Sequence, residues 1–171
     1  MTDFQKYIQR YLDVIPSADW KSEMEVWGER TTQLYQKLSG KEGDFAYAPG
    51  KWTLKEVLQH LIDSERIFAY RALRFSRKDK TPLPGWDETM YGETYLLNNR
   101  SVESLVDEFK SLRKSHVLFF KHLTEGQLAE TGIANGNAIS VKTLGQLIVG
   151  HNIHHLNVIK ERYLPILKQT S

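Results

Sequence analysis

The chain has 171 residues, 23 Lys+Arg against 21 Asp+Glu, six His and no Cys. That length suits one domain with a full core, and a formal net charge of +2 lacks the strong basic excess of a dedicated nucleic-acid binder. Without cysteine there is no disulfide, no thiolate nucleophile and no Cys-ligated zinc or iron–sulfur site, so any metal must be held by His and carboxylates.

The first residues, Met1-Thr2-Asp3-Phe4-Gln5-Lys6, lack the charged-then-apolar order of a signal peptide, and no run approaches the roughly 20 apolar residues of a spanning helix. The expectation is a soluble cytoplasmic protein with no membrane partner. Phe4, Tyr7, Ile8, Tyr11 and Leu12 predict a short amphipathic helix that stops before Pro16. Ser17 to Asp19 can cap the next, which carries Trp20, Met24, Trp27, Leu34, Tyr35 and Leu38 on one face and ends at Gly40. A Gly- and Pro-containing loop, Lys41 to Trp52, follows. Thr53 and Glu56 have capping-box spacing and open a helix to about Arg77, with Leu54, Val57, Leu58, Leu61, Ile62, Phe68, Ala69 and Ala72 as its stripe.

Lys78 to Arg100 reads as a long loop broken by Pro82, Pro84, Gly85 and Gly92. It nonetheless contains Leu83, Trp86, Met90, Tyr91, Tyr95, Leu96 and Leu97, so it is expected to pack over something. Ser101 opens a helix with Val102, Leu105, Val106, Phe109, Leu112, Val117, Phe120 and Leu123. Gly132 to Asn137 predict a turn-rich connection, and the last helix, about Ser140 to Leu164, is ended by Pro165. Four long amphipathic helices without strand alternation predict an all-α four-helix bundle with a short extra N-terminal helix. It forms a single domain over residues 1–171, with its core bundle at about 17–165. The two long connections permit crossovers.

The histidines can be placed by helical phase. Taking Leu144 as zero, Leu147, Ile148, Val158 and Ile159 fall within about 60° of it, and His151 and His155 within about 20°. Those two are one turn apart, the geometry of a two-His metal half-site. His154 falls about 80° off, at the margin of the stripe. For a third ligand, phase favours His116, which lies between Phe109 and Phe120. His60, on the flank beside Val57 and Ile67, can still face a neighbouring helix, and His122 lies nearer its helix end. Two charges also occupy apolar positions: Glu65 in the stripe of Leu58 and Leu61, and Arg162 on that of His155 and Ile159. A buried charge is costly unless paired, so Glu65 and Arg162 are expected to pair, or Glu65 to support the histidine site.

Lys51-Trp52-Thr53-Leu54 through His60-Leu61-Ile62-Asp63-Ser64-Glu65 resembles the second-helix signature of the DinB/YfiT-like family. Gly150-His151-Asn152-Ile153-His154-His155 resembles that family's last-helix His-x-x-x-His motif, and Pro82-Leu83-Pro84-Gly85-Trp86 is similar to the connection in one bacterial branch. The resemblance runs from about Trp20 to Leu164. It implies a bundle with crossover connections and a divalent metal, zinc or nickel, on His60, His151 and His155, with His116 left as a core or rim residue. It also implies chemistry on a small-molecule substrate, either hydrolysis or transfer to a low-molecular-weight thiol, and often a homodimer. The alternative it leaves is a non-catalytic bundle serving association. Asp63 and His154 are candidate proton-transfer or ligand-holding groups, and Trp86, Tyr91 and Tyr95 could wall a pocket.

Overall fold

The N-terminal helix and the four long helices each begin where a side chain satisfies the first free N–H groups. Thr2, Asp19, Thr53, Ser101 and Ser140 cap α1 (Asp3–Leu12), α2 (Trp20–Tyr35), α4 (Leu54–Ser76), α6 (Val102–Lys121) and α8 (Val141–Val158). At Thr53 the expected capping box is complete: the Thr53 N–H donates to Glu56 Oε2 at 2.7 Å and the Glu56 N–H donates to Thr53 Oγ1 at 3.2 Å. The structure, a computed structural model, describes residues 1–95, 97 and 99–170; Leu96, placed by sequence in the long loop, lies outside them.

Three local expectations are corrected. Gly40 does not end α2. That helix stops at Tyr35, and Ser39 caps a separate turn, α3 (Gly40–Gly43). The connection around Gly132 to Asn137 is a β-hairpin, β1 (Thr131–Ala134) antiparallel to β2 (Asn137–Ser140), with Asn135 and Gly136 both at positive φ in its two-residue turn. Pro165 does not stop the last helix. A π-helical turn, Ile159–Tyr163, precedes it, and α9 (Leu164–Thr170) continues beyond. Proline lacks an N–H and crowds the carbonyl four residues back; the widened turn, whose Leu164 N–H reaches Ile159 O, accommodates both.

In the bundle, α4 packs against α8 and α6, and α2 packs against α6 and α8. The consecutive helices α2 and α4 therefore lie across a diagonal, so their connection crosses the bundle. The long loop holds a short helix, α5 (Glu88–Glu93), and does pack over the bundle. Leu83 is buried, its N–H donating to Ile133 O at 2.9 Å while Asn135 N–H donates to Leu83 O at 3.0 Å. After α6, the short α7 (Glu125–Ala129) leads into the hairpin.

Two apolar clusters fill the bundle. One surrounds Trp20, Met24, Phe75, Phe120 and Leu144; the other surrounds Tyr35, Leu58, Phe109, Ile159 and Tyr163. Between them each long helix contributes buried polar residues: Thr31, Ser64 with Glu65, Arg113, and Asn152. Among the described residues, no helix is long and apolar enough to cross a membrane.

Helix α1 crosses α8 at Gly150. A Cβ there would stand 2.0 Å from the Tyr11 carbonyl oxygen, which is backbone and cannot swing aside. Gly150→Ala should therefore lift α1, at about 1–3 kcal/mol, the usual cost of overpacking. Faster amide exchange confined to residues 3–12 would show it; unchanged exchange there would contradict this packing.

Candidate metal centre

Neighbouring helices α4 and α8 bring His60, His151 and His155 together, each offering one ligand atom, all within 4.8 Å of one another. His60 Nε2 lies 3.0 Å from His151 Nε2, and His155 Nε2 lies 3.1 Å from it. Nitrogens bound tetrahedrally to zinc at about 2.0–2.1 Å stand about 3.3 Å apart, so small ring movements suffice to fit an ion at this focus. Burial lowers the pKa of His60 to about 4. Burial, then the neighbouring His60 and His154, lowers that of His155 to about 3. Burial and the adjacent His155 and His60 hold His151 well below the ordinary histidine value. At neutral pH all three rings are uncharged and keep the lone pairs that ligation needs, so the donor set fits a divalent metal.

The same lowering predicts a pH dependence for metal-free protein. The unfolded chain protonates these histidines below about pH 6.5 while the folded chain resists, so stability present above that pH falls as pH drops toward 4. The loss should reach about 1.4 kcal/mol per pH unit per histidine, read from urea unfolding between pH 7 and 4.5. Stability that stays flat over that window would contradict the burial of the three rings.

The surroundings hold the rings in place. The indoles of Trp52 and Trp86 lie 4.7 and 6.0 Å from the His60 ring, while His60 Nδ1 has no hydrogen-bond partner. Aromatic walls thus fix an orientation that a carboxylate or carbonyl usually sets for a metal-bound histidine. Tyr11 of α1 meets the His151 ring edge-on at 5.6 Å. A cavity of about 630 Å³ reaches His151 and is walled by Tyr7, Phe68, Arg71, Trp86 and Glu88; a cleft of about 220 Å³ reaches His155 beside Trp52 and Tyr163. Glu88 Oε2 stands 4.0 Å from His60 Nε2. Sequence reasoning missed Glu88, because nothing in the period of a loop marks which residue returns to the site.

The other candidates fall as follows. His116 is outside the cluster, its Nδ1 3.1 Å from Glu65 Oε1; phase placed it correctly on the stripe, but one level away. Glu65 is buried, yet its partner is Arg113 rather than Arg162, with Arg113 Nε and Nη2 donating to its carboxylate at 2.8 to 3.1 Å. Arg162 is exposed and bonds the Tyr47 hydroxyl at 3.2 Å, because the π turn shifts its phase away from the core. The missed Arg113 lies about 40° from Phe109 on its own stripe, so its signal was present in the sequence. Burial pushes Glu65's carboxyl up, but the Arg113 charge and the hydrogen bonds from His116 and Arg113 outweigh it and hold the pKa below the ordinary value. Asp63 accepts from Gln59 at 2.9 Å and faces Arg66, outside the three-His cluster. His154 is exposed and packs against Tyr11. Trp86 and Tyr91 touch each other at 5.2 Å, and Trp86 walls the cavity; Tyr95 packs instead on the Leu58 and Phe109 cluster.

Residues 24–159 match the model of the DinB superfamily. A protein of Oceanobacillus iheyensis, named as an inferred metal-dependent hydrolase, is 25% identical over 144 residues, covering 83% of this chain and 82% of that protein. One of Bacillus pumilus, named in the same way, is 24% identical over 152 residues, covering 82% and 85%. The solved structure of YfiT from Bacillus subtilis, described as an inferred metal-dependent hydrolase with an unusual four-helix bundle topology, matches with a TM-score of 0.74. Sequence identity there is 20%, over 86% of this chain and 85% of that one.

Proposed function

The chain belongs to the DinB superfamily, and from that we propose a metal-dependent hydrolase acting on a small molecule, with His60, His151 and His155 holding zinc or nickel. The observation that carries this reading is the convergence of three uncharged imidazole nitrogens on one focus, with His151 at the wall of the larger cavity and His155 at the smaller cleft. Three neutral ligands would leave a bound divalent ion its full charge, with which it would polarise a substrate oxygen and make water acidic near neutral pH.

The chain's own residues supply the rest. Trp52 and Trp86 hold the His60 ring and keep bulk water from its faces. The Glu88 carboxylate, 4.0 Å from His60 Nε2, is placed to take a proton from water entering the cavity and to return it to the leaving group. Transfer to a thiol is the second reading: the chain has no cysteine of its own, so a thiol reactant must arrive with the substrate, and the same carboxylate would deprotonate it.

The test is a panel of ester, amide and phosphoester substrates beside thiol–electrophile pairs, run with zinc- and nickel-loaded protein. Turnover that depends on metal and disappears in His60→Ala is expected; no turnover above metal-free protein on either panel would overturn the enzyme reading. Glu88→Gln should lower kcat by about 10²–10⁴ while metal content stays unchanged. An unchanged kcat would remove Glu88 from the reaction.

A further inference from the structure

The cavity that reaches His151 has a second polar feature at a distance from the histidines. Arg71 lines it from α4, eleven residues beyond His60, which is about 16 Å along the helix axis. The residue is 8% exposed, and burial lowers its pKa below the ordinary arginine value with no carboxylate opposing the effect. A buried guanidinium is normally paired. Here one hydrogen bond is formed, from Nη2 to Pro84 O at 2.8 Å, and among the described residues no acid forms an ion pair with it. The remaining N–H donors are not sealed in protein, and the residue lines the cavity.

The acids on the same wall are engaged elsewhere. Asp87 caps α5 by accepting the Thr89 and Met90 N–H groups, Asp3 lies 3.6 Å from Lys6, and Glu88 faces His60. The Pro84 carbonyl pins the planar fork from one side, which leaves its other edge preorganised for a two-oxygen acceptor.

We propose that Arg71 is an anion receptor at the far end of the cavity, and that the substrate carries a carboxylate or phosphate there while its reacting group lies at the histidines. This rests on the cavity being the substrate site. It gives the substrate class: an elongated small molecule with an anionic handle remote from the bond that changes. Binding energy from such a handle can be used to position the reacting end.

The test titrates inorganic phosphate and succinate separately into zinc-free and zinc-loaded protein, following the 15N Nε–H resonance of Arg71, assigned by its absence in Arg71→Lys. Saturable shifts with either anion are expected, phosphate alone or succinate alone identifying the group that is recognised. Arg71→Gln should weaken binding of the responding anion by about threefold or more, with metal content unchanged. No saturable shift with either anion, or a smaller loss in Arg71→Gln, overturns the proposal. The wild-type resonance keeps the test decisive if the variant does not fold. His60→Ala separates the two readings: it should lose metal yet keep the anion response, whereas a metal-replete wild type without that response removes only the receptor.

Discussion

Replacing His60, His151 or His155 singly with alanine should take bound divalent metal from about one ion per chain to almost none, with affinity falling by about 10³-fold or more. Each ring supplies one of three nitrogens at a common focus, and no carboxylate of the described residues belongs to that cluster to replace it. Glu88 is the nearest acid, but at 4.0 Å from His60 Nε2 and on an exposed helix it lacks the constraint that makes the histidines a site. His116→Ala separates helical phase from packing. It lies on an apolar stripe, yet its Nδ1 is committed to Glu65, so that variant should keep its metal. In a thermal or urea assay, metal at about 1,000 times its Kd should stabilise the wild type by about 4 kcal/mol and leave the three alanine variants unchanged. Metal retained by His60→Ala and lost by His116→Ala would assign the third ligand the other way.

Arg113→Met should cost about 3–5 kcal/mol, much of the 5–15 kcal/mol typical of a domain. The guanidinium does four things at once. It holds the buried Glu65 carboxylate, donates to Met24 O at 2.8 Å and to Asn152 Oδ1 at 3.1 Å, and lies over the Phe109 ring at 4.9 Å. Removing it leaves the buried Glu65 carboxyl group with His116 alone beside it. Glu65→Leu combined with Arg113→Met removes both charges and should recover most of the loss, because desolvation offsets much of the Coulombic gain of a buried pair. Arg162→Ala, at an exposed position, should change stability by no more than about 0.5 kcal/mol. A denaturant series on these variants checks the assignment; equal costs at Arg113 and Arg162 would contradict it. The network also bears on the site. Asn152 bonds Arg113 on one side and donates to Thr31 Oγ1 at 2.8 Å on the other, which fixes the rotation of α8 that points His151 and His155 at α4.

What the sequence makes legible follows from its periodicities. Phase on α8 places His151 and His155 together because most of that helix is regular, and the Thr53–Glu56 box marks the start of α4 within one residue. The same method fails at Arg162, since a π turn adds a residue that no ideal projection contains. It fails again at His60 against His116, because phase gives direction around a helix and not the level at which neighbouring helices meet. Only the resemblance of the two motifs to a known family pointed to His60. In sequence the β-hairpin reads as a turn-rich connection: its strands are four residues each, too short for alternation to register. Glu88 and the engaged side of Arg71 depend on where a long loop returns, which is set by tertiary packing of Leu83 against the hairpin.

X-ray absorption at the metal edge of zinc-loaded protein distinguishes a three-histidine centre between α4 and α8 from any other ligand set. Nitrogen or oxygen neighbours at about 2.0–2.1 Å are expected, with the outer-shell scattering of three imidazoles, reduced to two in His60→Ala if any metal remains. A spectrum with fewer than three imidazoles in the wild type, or one unaltered by His60→Ala, would contradict it.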